Sequence, residues 1–138
     1  MCKWLCKAFP YIEALVFKYT RKRKQSKGEA IVENWLKENK LKYKTEHLLL
    51  FSFNIRKKPY VFIDFYLPKK KIFIEYNGRQ HYEFVPKFHK TKEDFNNQLF
   101  RDMVVRKYCE YKKIKLIELP WYLTEDSIKT ILSKEMYG

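Results

Sequence analysis

Two acids stand alone in apolar runs. Residues 61–67 read VFIDFYL and residues 71–77 read KIFIEYN, with Asp64 in the first run and Glu75 in the second. If residues 68–71 make a tight turn, the runs become antiparallel strands and Asp64 falls opposite Glu75 on one sheet face. Alternation then puts Ile63, Phe65, Ile74 and Tyr76 on the other face. Directly opposed Cβ atoms lie roughly 5 Å apart, so the two carboxylates repel unless a cation compensates them. Mg²⁺, or Mn²⁺ in its place, suits such a sparse pair, because it takes one or two protein carboxylates and keeps several waters. Asn77-Gly78 is a turn signal, and Gln80 and His81 follow it, so His81 folds back toward Glu75. There it would act as a general base or steady a water. A divalent ion, an activated water and a positioned base are the parts of phosphodiester hydrolysis.

The surrounding chain must hold these groups. Ser26 is placed to cap a helix over 27–39 whose apolar face is Ile31, Val32, Trp35 and Leu36. Glu29 lies in its first turn, where it either complements the helix dipole or supplies a third acid to the hairpin. Residues 41–55 read as strand, with Glu46 and His47 as polar interruptions on the surface, and 56–59 as a basic turn. After the hairpin, 82–93 is a polar-aromatic loop whose Lys87, His89, Lys90 and Lys92 suit a phosphate backbone. A long helix over 94–111 follows, with Phe95, Leu99, Met103, Val104 and Tyr108 as its apolar side. On it Asp102 and Arg106 are spaced to pair on the surface. Asp102 would otherwise orient His81 or reach a second metal through water. Strand 115–119 and helix 125–135 close the chain. The order of helix, three strands, helix, strand and helix is α/β, with a mixed sheet.

Before residue 26 the chain has a different character. Residues 1–20 carry Trp4, Leu5, Ala8, Phe9, Ile12, Leu15, Val16 and Tyr19 at helical spacing, with Pro10 expected to kink or divide the helix. Lys7 and Glu13 interrupt the apolar run, which argues against a signal peptide. Residues 1–25 thus form a helical and basic extension, and 26–138 the main domain. The extension's apolar face is a candidate surface for a homodimer. Residues 21–27, RKRKQSK, offer Arg21, Lys22, Arg23, Lys24 and Lys27 for phosphate contacts.

Formal net charge is +14 over 138 residues, which points to a polyanionic partner, double-stranded DNA first. No run approaches the ~18 apolar residues of a membrane span. Three cysteines, Cys2, Cys6 and Cys109, make no disulfide framework, which fits a reducing, intracellular and cytoplasmic setting. Cys2 and Cys6 would make half a zinc site, and no second pair completes it. Nothing calls for a small-molecule cofactor.

Together the motifs carry a resemblance. Asp64, Glu75 and Asn77 at their spacing resemble the PD-(D/E)xK nuclease superfamily. GE at 28–29, IDFYLP at 63–68, IEYNGRQHY at 74–82, RD at 101–102, YC at 108–109 and IKLIELPW at 114–121 resemble one branch of it. That branch contains the very-short-patch-repair (Vsr-like) endonucleases and the EDxHD homing endonucleases of phages. The resemblance implies a restriction-endonuclease-like αβββαβ core and a Mg²⁺-dependent DNA endonuclease. It assigns catalytic roles to Glu29, Asp64, Glu75, His81 and Asp102, with Asp64 and Glu75 on the metal. Glu75 places the chain nearer the homing type than the repair nickases, which lack that acid. Asn77 replaces the usual lysine, so His81, Gln80 or a nearby lysine would share its work. Arg106 adjoins Val105, where relatives often carry a lysine.

Overall fold

The structure is a computed structural model and describes residues 3–20, 23–55 and 58–138. In order it contains α1 (Lys3–Thr20), α2 (Lys27–Glu38), β1 (Lys44–Ile55), β2 (Lys58–Leu67), β3 (Ile72–Asn77), a single 3-10 turn (Arg79–His81), α3 (Lys92–Lys112), β4 (Lys115–Pro120) and α4 (Glu125–Tyr137). The strands form one sheet in the order β1-β2-β3-β4. β1, β2 and β3 are antiparallel neighbours, and β4 runs parallel to β3 after the α3 crossover. The chain is therefore α/β with a mixed sheet, as its pattern predicts. No helix among the described residues is long and apolar enough to cross a membrane.

Each face of the sheet is covered by helices. Val32, Trp35 and Leu36 of α2 and Ile128 and Leu132 of α4 pack on Phe65, Leu67, Ile72, Ile74, Ile117 and Leu119. On the other side Val105 and Cys109 of α3 meet Leu49, Val61, Ile63 and Phe73. Burying side chains of this size is worth about 1.5–3 kcal/mol each. The same burial pushes the Cys109 thiol up to about 11, so it is a packing group and not a nucleophile.

The hairpin register is the predicted one, with Phe65 opposite Ile74, Tyr66 opposite Phe73 and Leu67 opposite Ile72. Simple alternation nevertheless fails at Asp64. Phe65, Ile74 and Tyr76 share the α2–α4 side, whereas Ile63 belongs with Val61 to the α3 side. The cause is a local break in the ladder. The β1–β2 register runs from Thr45 opposite Phe65 to His47 opposite Ile63 and skips the Glu46–Asp64 position, where Glu46 adopts a left-handed φ of 49°. The side chain of Asp64 is thereby freed from strand alternation.

Two helices differ from the expectation. Thr91 accepts from the Asp94 N–H and Asp94 accepts from the Thr91 N–H, so a capping box starts α3 at Lys92, ahead of the predicted 94. α1 runs unbroken through Pro10. Its Phe17 ring lies 6.1 Å from Tyr60 and 6.2 Å from Phe62, so the extension rests on the sheet. Cys2, Arg21, Lys22 and the turn residues 56–57 lie outside the described residues, as does the side chain of Cys6.

Candidate active site

Ser26 caps α2 by accepting the Glu29 N–H at 3.2 Å, which fixes Glu29 in the first turn with its side chain nearly buried. β2 and β3 separate beyond the Phe65–Ile74 pair, and the Asp64 carboxylate enters the gap by accepting the Tyr76 N–H at 2.8 Å. Burial pushes the Asp64 carboxyl well above its ordinary range, and the neighbouring Glu75 and Glu29 push it further. Burial likewise raises the Glu29 carboxyl, against the pull of Arg23. Three acids thus crowd one end of a cavity of ≈ 300 Å³, lined by Arg23, Glu29, Asp64, Glu75, Tyr76, Gln80, His81, Phe88, Gln98 and Arg101.

His81 lines the same cavity. Its Nδ1 lies 2.8 Å from Asp102 Oδ2. The second Asp102 oxygen accepts from Gln98 Nε2 and Arg101 Nη1, each at 3.1 Å. Arg101 continues the chain of bonds, donating from Nη2 to Glu75 Oε1 at 2.9 Å and to the Phe62 carbonyl at 3.2 Å. Burial favours protonation of Asp102, but its bonds to His81 and Arg101 prevail and hold its carboxyl below the ordinary value. It is therefore an anion at neutral pH, and it accepts a hydrogen bond from the Nδ1–H of His81. Nε2 is left as the unprotonated nitrogen of the neutral ring.

The four acids and one histidine singled out in the sequence stand around or directly behind one cavity. Other expectations are corrected. Arg106 pairs with Glu118 through two 3.0 Å bonds, because Asp102 turns inward. Asn77, expected as a supporting residue, is buried and donates to Glu118 at 3.3 Å. Gln80 does line the cavity. His89 is only 3% exposed, accepts the Val85 N–H and packs on Phe84 and Phe95, which removes it from any phosphate-facing surface. Lys24, Lys27, Lys87, Lys90 and Lys92 are exposed. Arg23 is directed to acids instead: Glu29 at 2.5 Å, Glu46 at 3.0 Å and Asp64 at 3.7 Å.

α3 carries two cavity residues that sequence reading missed, Gln98 and Arg101. Its buried side is Gln98, Arg101, Asp102, Val105 and Cys109, while the predicted apolar Leu99 and Met103 are exposed. The signal was present as a helical stripe of polar residues in line with Val105 and Cys109.

The residues suit a divalent cation by their donor chemistry. Asp64 and Glu75 are hard oxygen donors on one cavity wall, with a third carboxylate, Glu29, beside them. Among the described residues no three of His, Cys, Asp and Glu converge into a closed cage. Mg²⁺ does not require one, since it is commonly held by one or two carboxylates.

Gly28 fixes the approach of α2 to this site. A Cβ there would lie 2.1 Å from Tyr76 Cζ, within the ring. That ring is held by its hydroxyl, which donates to the Trp121 carbonyl at 3.2 Å, and by a backbone bonded to Asp64. Gly28→Ala is expected to cost about 1–3 kcal/mol, read as a lowered urea midpoint. An unchanged midpoint would show that Tyr76 moves aside freely.

No protein-family model matches the chain. It is similar to uncharacterized protein 307L of Invertebrate iridescent virus 6, at 47% identity over 74 residues, covering 54% of this chain and 36% of that one. Uncharacterized protein 033L of Invertebrate iridescent virus 3 is 39% identical over 70 residues, covering 51% and 36%. Uncharacterized protein 094L of Frog virus 3 is 47% identical over 60 residues, covering 43% and 39%. The matched stretch spans little more than a third of each relative's length.

Proposed function

We propose that this chain is a metal-dependent DNA endonuclease of the restriction-endonuclease-like kind, hydrolysing phosphodiester bonds at the cavity between α2, the β2–β3 hairpin and α3. The observation that carries the reading is the meeting of Asp64 and Glu75 with an Asp102-held His81 on one cavity. Asp64 and Glu75 would hold Mg²⁺, or Mn²⁺ in its place. When bound, the ion supplies charge neutralisation at the phosphate and an acidified water. Arg101 keeps Glu75 and Asp102 in fixed relation, since one guanidinium bonds both. His81 presents Nε2 to take a proton from water or to steady the phosphate oxygen. Glu29 adds negative charge beside Asp64 and tightens cation binding there.

Double-stranded DNA is the partner. Arg23 and Phe88 lie on the cavity wall, and their chain neighbours Lys24 and Lys87 are exposed. Lys27, Lys90 and Lys92 extend this basic rim. Double-strand cutting calls for two such sites. α1 leaves Tyr11, Ile12 and Tyr19 exposed, and this is the face on which the reading seats a second copy. The narrower form of the reading is a phage-type homing endonuclease working inside a cell. A repair nickase is the alternative, and a catalytically inactive DNA-binding module is the remaining one.

Incubation with supercoiled plasmid and Mg²⁺ or Mn²⁺ separates them. Linear product supports the endonuclease, and open circles alone support the nickase. Binding without cutting under either ion supports the inactive module. Affinity for duplex DNA is also expected to fall steeply between 50 and 200 mM salt, by about 10³-fold if six phosphates are contacted. A flat salt response would remove the basic rim from the reading.

A further inference from the structure

Among the described residues Arg23 is the cation that reaches both Asp64 and Glu29, and it does not come from the sheet or from α3. It belongs to the extended segment 23–26 between α1 and α2. Its Nη2 reaches Glu29 at 2.5 Å and stands 3.7 Å from Asp64, while Nη1 reaches Glu46 at 3.0 Å. The side chain lines the ≈ 300 Å³ cavity and also a neighbouring cleft of ≈ 200 Å³ that contains Glu33, Thr45 and Glu46. It therefore stands between two acid-lined spaces, and its side chain remains 36% exposed.

We propose that Arg23 is a resident counter-cation, which occupies the Glu29–Asp64 end of the site until a divalent cation displaces it. The inference rests on the reading of this cavity as a divalent-cation centre, and it adds how that centre is kept closed. A guanidinium does not deprotonate in a protein, so it cannot yield the acids by losing charge. It must move as a whole, and the short exposed segment that carries it permits this. Residues 21–24 read Arg-Lys-Arg-Lys, so DNA phosphates attract the same segment that covers the acids. Cation loading and DNA binding thereby favour each other, and the chain without DNA holds its cation weakly.

The test uses the full chain without DNA and reads free Mn²⁺ by electron paramagnetic resonance. Arg23→Gln is expected to bind Mn²⁺ about tenfold more tightly than the wild type, a gain of ~1.4 kcal/mol. Glu46→Gln, which loosens one anchor of Arg23 without touching Asp64 or Glu75, is expected to shift affinity in the same direction by a smaller factor. It serves as the test if Arg23→Gln fails to fold. Asp64→Asn is expected to weaken binding in either background. Equal affinities for wild type, Arg23→Gln and Glu46→Gln, with Asp64→Asn still weakening binding, would overturn the counter-cation and leave the metal centre intact. Absence of Mn²⁺ binding in all folded variants would overturn both.

Discussion

Asp64→Asn is expected to abolish cutting and yet to make the protein more stable. Cutting should fall by about 10³-fold or more, since a central ligand of the ion is lost. Stability should rise because the carboxylate is buried and stands beside Glu75 and Glu29. Asparagine has nearly the same shape, and its carbonyl oxygen can still accept the Tyr76 N–H. The sign follows from linkage. The folded-state carboxyl is raised above its ordinary value of 3.8, so over the interval between the two the folded chain holds a proton that the unfolded chain has released. Wild-type stability therefore falls as pH rises through that interval, and the asparagine variant escapes this loss. Its advantage should be absent below pH 3.8, grow as pH rises through the raised value, and persist at neutrality. Thermal melts across pH read it directly, at roughly 4 °C for each kcal/mol in a chain of this size. Mg²⁺ should raise the wild-type melting temperature and barely move that of Asp64→Asn. A variant that melts lower at neutral pH and still cuts would sink the site.

The hairpin that carries this prediction was readable because local rules decide it. Pro68 and the lysines after it force a turn, and apolar alternation on both strands sets the register. The cap at Ser26 is equally local. What escaped the sequence is the burial of charge. Patterning assumes that polar residues face water, and so it turned α3 with Leu99 and Met103 inward. The structure keeps Val104 and Tyr108 against the core but rotates Leu99 and Met103 out to solvent, because Glu75 and His81 need polar partners across the cavity. Arg101 and Asp102 satisfy them only when the sheet is in place. Arg101 is buried, yet Glu75 and Asp102 overcome the cost of burying its charge and raise its pKa further. Arg23 escaped for the same reason. A lysine- and arginine-rich segment reads as a solvated or phosphate-binding strip, and nothing local shows that one of its members meets Glu29, Glu46 and Asp64. His89 erred in the opposite direction, because only the folded loop surrounds it with Phe84 and Phe95. The break in alternation at Asp64 likewise depends on Glu46 of the neighbouring strand, which is distant in sequence.

The second large effect belongs to Asp102→Asn, and it works through the His81 tautomer. Asp102 Oδ1 is held by two donors, Gln98 Nε2 and Arg101 Nη1. An asparagine at this position must give its carbonyl oxygen to those donors, which leaves its NH₂ facing His81 Nδ1. Nδ1 is then forced to accept, and the ring proton moves to Nε2, the atom meant to act on water or phosphate. Cutting is expected to fall by about 10²–10⁴-fold, while Mn²⁺ affinity and DNA affinity stay within a few-fold of wild type. Unlike Asp64→Asn, this change should also lower the melting temperature, because the buried Arg101 guanidinium loses one of its two anionic partners. A loss of packing alone would produce the same lower melt, so the deciding measurement is a double-mutant cycle. If Asp102 works through His81, then His81→Ala and the His81→Ala, Asp102→Asn double variant should cut equally poorly. A further loss in the double variant would mean that Asp102 acts on the metal or the substrate by its own route, and His81 would no longer be the group it serves.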